Sequence, residues 1–333
     1  MKQFITKLIY FSLIGIILLL SLFSLYLYFD PFKVLKHYND YSYPYVISNR
    51  DYISTTMFIN NYKKNNYNSF IFGSSRTLAF RPNSWCKYLS DKNNPFMFDA
   101  SGESIYGIYT KLKYLDSTNV EIKNALIILC RDATFSHSEN HKGHLFIKHP
   151  ATSGENNLSF QFDFFKAYLS PKFLFNFYSF KILGNYKPFM SGYIENRKLT
   201  FDTLTNEINI IDQETEIIQN PAEYYAKRNE LFYSRIVEKT DSIQRINKKQ
   251  IFMLKEIKRI LEKNNTNYKV VLSPLYEQIK FNRSDLSLLK NEFGNNLYDF
   301  SGKNSLTENK SNYYETSHFR PNVGDSIFKI IYK

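Results

Sequence analysis

Cysteine is scarce in this sequence: among 333 residues only Cys86 and Cys130 are thiols. Their spacing matches no zinc or redox motif. The two could pair in an oxidising compartment, although two buried free thiols is the simpler expectation. Internal repeats and low-complexity tracts are missing, and so is any nucleic-acid fold signature. Basic residues are scattered, as in NYKKNNYN and INKKQ, rather than gathered in a stripe. The net charge of +12 therefore points away from DNA and toward an acidic glycan or lipid surface, or to a basic solvated surface with no specific partner. An apolar content of 43% is enough for a core, and the length allows one large domain or two ordinary ones.

A long uncharged run occurs once. Residues Leu8 to Phe29, LIYFSLIGIILLLSLFSLYLYF, carry no charge, and as a helix would extend roughly 33 Å, enough to cross a bilayer. A cleaved signal peptide is the competing reading, but the run exceeds a usual apolar core and the following YLYFDPFKV offers no small-x-small cleavage site. An uncleaved anchor over residues 1–30 is expected. Lys2 and Lys7 precede it, and Asp30, Lys33 and Lys36 follow. The short positive N-terminus favours a cytoplasmic start, which leaves the remainder outside the cytoplasm.

Residues 31–66 lack clean periodicity and read as a stalk. From 67 to 333 the pattern is regular. NSFIFG (68–73), PFMFDAS (95–101), NALIILC (124–130), YKVVLSP (268–274) and LYDFSG (297–302) are short apolar runs bounded by turn residues, the signature of buried parallel strands. Helical patterns separate them: SIYGIYTKLKYL (104–115), a long stretch over 221–263, and a last helix from Pro321. Asn220, Pro221 and Glu223 supply helix-start chemistry. Further along, Ile243, Ile246, Phe252, Leu254, Ile257 and Leu261 fall near one face, and Val323, Ile327, Ile330 and Ile331 should point inward from the last helix. The alternation predicts a three-layer α/β/α domain on a parallel five-stranded sheet. Residues 135–219 break the rhythm with FQFDFFKAYLSPKFLFNFYSFKIL and RKLTFDTLTNEINII, read as an aromatic-rich inserted helical cap followed by a hairpin.

In such a sheet, ligands bind beyond the carboxyl ends of the strands. SFIFGSSRTLAF (69–80) puts Gly73, Ser74, Ser75 and Arg76 at one of those ends. A serine there needs a base, and the base an orienting group. Near the other terminus, Glu315-Thr316-Ser317-His318 precedes the last helix, and a carboxylate three residues before a histidine can fold back to accept its Nδ1–H. That leaves Nε2 to take a serine proton.

A strand ending in G-x-S, a glycine after the next strand and an acid-x-x-His before the last helix together resemble the SGNH (GDSL-type) hydrolase and acyltransferase superfamily. The GSSR form is similar to that of membrane-anchored bacterial members, among them the D-alanyl-lipoteichoic acid transfer protein and proteins of polysaccharide O-acylation. The resemblance covers residues 66–132 and 265–333. It implies a flavodoxin-like fold with Ser75 as nucleophile, His318 as base and Glu315 where aspartate is usual. It also implies oxyanion donors from Ser75 and Gly102, with Arg131 at or near the position usually held by asparagine. The function it implies is a serine esterase or O-acyltransferase acting on acyl esters of cell-envelope polysaccharide, without a cofactor. The alternative is an inactive accessory protein of the same fold that binds envelope glycan or a membrane acyltransferase partner.

Arg76 and Arg320 could hold an acidic group of the substrate, or form salt bridges near helix starts. Asp132 could anchor Arg131 or cap a turn. His137, His141, His144 and His149 crowd into SHSENHKGHLFIKHP, but no cysteine or carboxylate pattern accompanies them and no metal site is expected.

Overall fold

The computed structural model describes residues 1–90, 93–235 and 237–333. Five parallel strands form the central sheet: β1 (Ser69–Gly73), β2 (Pro95–Met97), β3 (Asn124–Leu129), β4 (Asn267–Leu272) and β5 (Leu297–Asp299), in the order β2-β1-β3-β4-β5. All five expected strands are present. The edge strands are shorter than their apolar runs, because β2 and β5 each pair with one neighbour over only three residues.

Side chains alternate across the sheet as a two-residue period demands. Phe70, Phe72, Ala125, Ile127 and Leu129 enter one core, and Ile71, Leu126, Ile128 and Val271 enter the other. Both faces are covered by helices, which is why β1 and β3 are buried at every residue. In chain order the helices that matter are α1 (Lys2–Phe29), α2 (Arg50–Asn65), α3 (Ile105–Ser117), α4 (Asn157–Tyr168), α5 (Pro171–Leu183), α6 (Lys248–Lys263), α7 (Arg283–Phe293) and α8 (Pro321–Ile331). Helices α2, α3, α6 and α7 cover the first face, and α8 with Trp85 covers the second.

Several expectations are corrected. Residues 31–66 are not simply a stalk, since α2 buries Ile53, Met57 and Phe58 against Phe70, Phe96 and Phe98. Polar Ser54, Thr55 and Thr56 between those apolar residues hid its period. The 221–263 stretch is not continuous helix. Asn220 does cap a helix at Pro221, but that helix ends at Lys227, and α6 starts afresh at Asn247, whose side chain and Gln250 form a reciprocal capping box. Ile243 consequently lies outside any helix and is exposed, as are Phe252 and Ile330, while Leu254, Ile257 and Leu261 are buried.

The insertion contains helices α4 and α5 and an antiparallel hairpin, Leu199–Phe201 against Ile208–Ile210. Its helices form a third apolar cluster with the last turns of α1, where Tyr26 is buried. Helix α1 is long and apolar enough to cross a bilayer. It ends at Asp30, which adopts φ +40° and whose carboxylate accepts the amides of Val34, Leu35 and Lys36. Cys86 and Cys130 are free thiols, but only one is buried as expected: Cys86 is exposed, whereas Cys130 is buried with its sulfur 3.3 Å from the hydroxyls of Ser74 and Ser273.

Candidate active site

Strand β1 ends where the backbone must turn beside β3. Gly73 has φ +149°, and a Cβ there would lie 2.7 Å from the Ile128 carbonyl oxygen, so this position needs glycine. The chain then enters a 3-10 turn, Ser75–Ala79, that opens on Ser75. The Ser74 carbonyl accepts both the amide and the hydroxyl of Thr77, which fixes the turn.

The far end of the chain comes to the same rim. Residues Tyr313–Glu315 pair antiparallel with His318–Phe319, with Glu315 opposite His318 across an irregular tight hairpin. Ser75 Oγ lies 2.8 Å from His318 Nε2, and His318 Nδ1 is hydrogen-bonded to Glu315 Oε1. The other Glu315 oxygen accepts the Ser317 amide at 2.5 Å. Ser75, His318 and Glu315 therefore meet, and Glu315 folds back onto His318 through the hairpin. Burial pushes the Glu315 carboxyl up, but the His318 hydrogen bond and charge and the Ser317 donors outweigh it, leaving the group below the usual carboxylate range. An ionised Glu315 selects the Nδ1–H tautomer and leaves Nε2 free to accept from the serine hydroxyl.

Helix α8 holds this meeting in register. Gly324 packs so tightly on the serine turn that an added Cβ would sit 1.9 Å from the Ala79 carbonyl oxygen. Arg76 ties the two halves again, donating from Nε to the Ser317 carbonyl at 3.0 Å while its two terminal nitrogens reach Asp132 at 3.2 and 3.3 Å. Asp132 thus anchors Arg76, not Arg131, and also accepts the Ala133 amide.

The other two arginines are also held by carboxylates, and for Arg320 this is the salt bridge near a helix start that was one of its two expected roles. The Arg131 guanidinium, expected near the oxyanion position, is bound by Asp241 at 2.5 Å and Glu277 at 2.7 Å. Arg320 pairs with Glu214 at 2.7 Å and donates to the Ser311 carbonyl. Gly102 lies in the turn after β2 with φ +56°. The histidine segment splits up: His137 and His141 rings are 4.0 Å apart, His144 packs on Phe32, and His149 caps the short helix beginning at Pro150. Among the described residues no group of three His, Cys, Asp or Glu is arranged to hold a metal ion.

Beside Ser75 and His318 opens a cavity of about 90 Å³. Its walls include Leu199, Phe201, Ile208 and Ile210 of the inserted hairpin, so the insertion roofs the site. Its floor includes Arg50 and Asp99, joined at 2.7 Å. Arg50 also grips the hairpin through the Asn206 carbonyl and side chain at 2.8 and 2.9 Å, and Asn206 in turn donates to the Met97 carbonyl. Sequence reasoning missed Arg50 and Asp99. The segment RKLTFDTLTNEINII was legible as a hairpin, but nothing local shows that it covers a strand end.

No profile of a known protein family matches this chain, and no curated protein matches its sequence.

Proposed function

We propose that the protein is a membrane-anchored, SGNH-like serine esterase or O-acyltransferase that acts on acyl esters of cell-envelope polysaccharide outside the cytoplasm. One observation carries this reading: the Ser75 hydroxyl within 2.8 Å of an imidazole nitrogen whose other nitrogen is held by Glu315. A serine packed this way is activated by proton removal at the moment of attack.

His318 Nε2 takes the Ser75 proton as Oγ bonds to the acyl carbonyl carbon. The oxygen left with negative charge faces the amide of Ser75, the first of a helical turn and so without an intrahelical acceptor, and the amide of Gly102. Collapse breaks the ester C–O bond, and His318 returns the proton to the departing alcohol. In the second half, water or a sugar hydroxyl loses its proton to His318, attacks the acyl-serine and frees Oγ, which regains the proton. Hydrolysis and transfer differ only in the entering hydroxyl. Arg131 has no part in this scheme, since two carboxylates already bind it. The 90 Å³ cavity between hairpin and floor receives the acyl group.

Burial of Tyr26 against α4 and the contacts of Phe29 with Phe177 and Tyr178 favour a retained anchor over a cleaved leader. Removal of that segment would expose the third apolar cluster. A fluorophosphonate probe tests the chemistry: wild-type protein should be labelled and Ser75→Ala should not. Equal labelling of both rejects Ser75, and an unlabelled wild type favours the non-catalytic accessory reading.

A further inference from the structure

The two inserted helices are apolar on both sides. Inward, Phe160, Phe164 and Tyr168 of α4 and Phe173 and Phe177 of α5 fill the third cluster. Outward, Leu158 and Phe162 on α4 are 81% and 62% exposed, and Phe175 and Ile182 on α5 are 64% and 83% exposed. Spacings of four and seven residues put each pair in one stripe of its helix. Leu183 and Phe189 extend the uncovered surface. Water is a poor neighbour for so many large apolar groups in one stretch, and a patch of this kind marks a contact surface.

What covers it follows from where α1 runs. Phe23 of α1 meets Phe165 edge-on at 5.3 Å, Tyr26 meets Phe165 and Tyr168 at 5.3 and 5.1 Å, and Phe29 meets Phe177 at 5.6 Å. Phe23 is six residues before the end of the apolar helix, about 9 Å along its axis. That is the depth, roughly 5–10 Å, at which interfacial amphipathic helices settle between headgroups and acyl chains. Charge agrees: between residues 157 and 190 the sequence has Lys166, Lys172, Lys181 and Lys187 against one acid, Asp163. The ammonium of Lys181 lies over the rings of Tyr45 and Phe29 at 4.6 and 5.6 Å.

We propose that α4 and α5 lie in the headgroup layer of an anionic bilayer, with the outward stripes of Leu158, Phe162, Phe175 and Ile182 in the acyl boundary and the lysines at the phosphates. This rests on the reading that α1 spans that same bilayer. The insertion then has two roles. Its hairpin roofs the Ser75 cavity and its helices hold the domain against the membrane, so that the cleft faces the surface at a fixed height. A domain on a flexible stalk would lack that constraint.

The test uses the full chain in vesicles of phosphatidylglycerol and phosphatidylcholine carrying bromine at defined chain depths. Three variants, Phe162→Trp, Phe175→Trp and Leu18→Trp, are each read as the emission added to that of the buried native Trp85. The expected result is that shallow bromines quench about half of the added emission at 162 and 175, while deep bromines act most on position 18, at the middle of the uncharged run. Water-like, unquenched emission at 162 and 175 with position 18 quenched overturns the interfacial placement and leaves the span intact. Shielded emission that bromine does not quench shows a protein occupant, which also overturns it. An unquenched position 18 defeats the spanning reading itself.

Discussion

Ser75 and His318 are 243 positions apart in the chain, yet their side chains lie 2.8 Å from one another. Three features bring them there. The turn after β1 presents the serine, a tight hairpin presents the imidazole, and α8 packs on the serine turn through Gly324. Each can be altered separately.

The carboxylate is the first to alter. Glu315→Gln keeps the shape but removes the charge that selects the Nδ1–H tautomer, so labelling by a fluorophosphonate and turnover of an acyl ester should fall by about 10²–10⁴. Glu315→Asp restores the charge on a shorter arm and should recover part of that loss. Equal activity in the glutamine variant and the wild type would remove Glu315 from the mechanism.

Gly324→Ala tests the packing. Its Cβ would meet the Ala79 carbonyl at 1.9 Å, so α8 must move off the serine turn. Overpacking of this kind costs about 1–3 kcal/mol. Displacement of the His318 hairpin relative to Ser75 should cost activity beyond the loss of stability, up to about 10² for a 1 Å misplacement. Thermal denaturation and labelling rate measured together separate the two effects.

Arg76 and Arg131 should divide cleanly in the same assay. Arg76→Lys loses the planar fork that joins Asp132 to the Ser317 carbonyl, and a point charge cannot span both. Labelling should drop about tenfold with melting little changed, because the salt bridge itself is partly exposed. Arg131→Met should do the reverse, taking the cation from Glu277 and leaving Asp241 to Arg245 alone, and lowering stability by about 1–3 kcal/mol while the serine keeps its reactivity. A large loss of labelling at matched folded fraction in Arg131→Met would restore it to the oxyanion site.

The contrast between these two arginines shows what was legible in the sequence. Strand positions could be read because a strand buried on both faces is a continuous apolar run, and the site residues because they sit at ends of such runs. Arg131 also sits at a strand end, but its direction depends on Asp241 and Glu277, which lie 110 and 146 residues further on. Helix α2 escaped for a related reason. Its buried face includes Thr55 together with Arg50, Asp51 and Ser54, and the burial of these last three is made tolerable by Asp99, Asn206 and Lys111 far along the chain, so no apolar period marks it. Local pattern reveals elements that bury carbon, whereas partners chosen across the fold reveal themselves only in three dimensions.

The buried charges behind the site give a pH prediction. Asp51 and Glu103 are enclosed with Lys111 and Lys148: Lys111 Nζ lies 2.9 Å from Asp51 and 2.7 Å from Glu103, and Lys148 Nζ lies 2.5 Å from Glu103. Burial pushes the Asp51 carboxyl up, but Lys111, Lys148 and the His149 amide more than reverse this, and it is lowered to about 2. A carboxyl lowered in the folded state binds its proton more readily when unfolded. Its contribution is therefore complete above the unfolded value of about 3.9 and is lost as pH falls toward about 2. Lys111→Met removes the central cation and leaves two enclosed carboxylates facing one lysine, which should cost about 3–5 kcal/mol at neutral pH. In that variant one carboxyl must take up a proton on folding, so its stability relative to the wild type should rise as pH is lowered from 7 toward 5, an interval in which the wild type itself should lose stability because burial holds His137, His144 and His149 below the ordinary imidazole range. A variant whose melting temperature follows the wild-type curve across that interval would show that the four charges do not act as a unit.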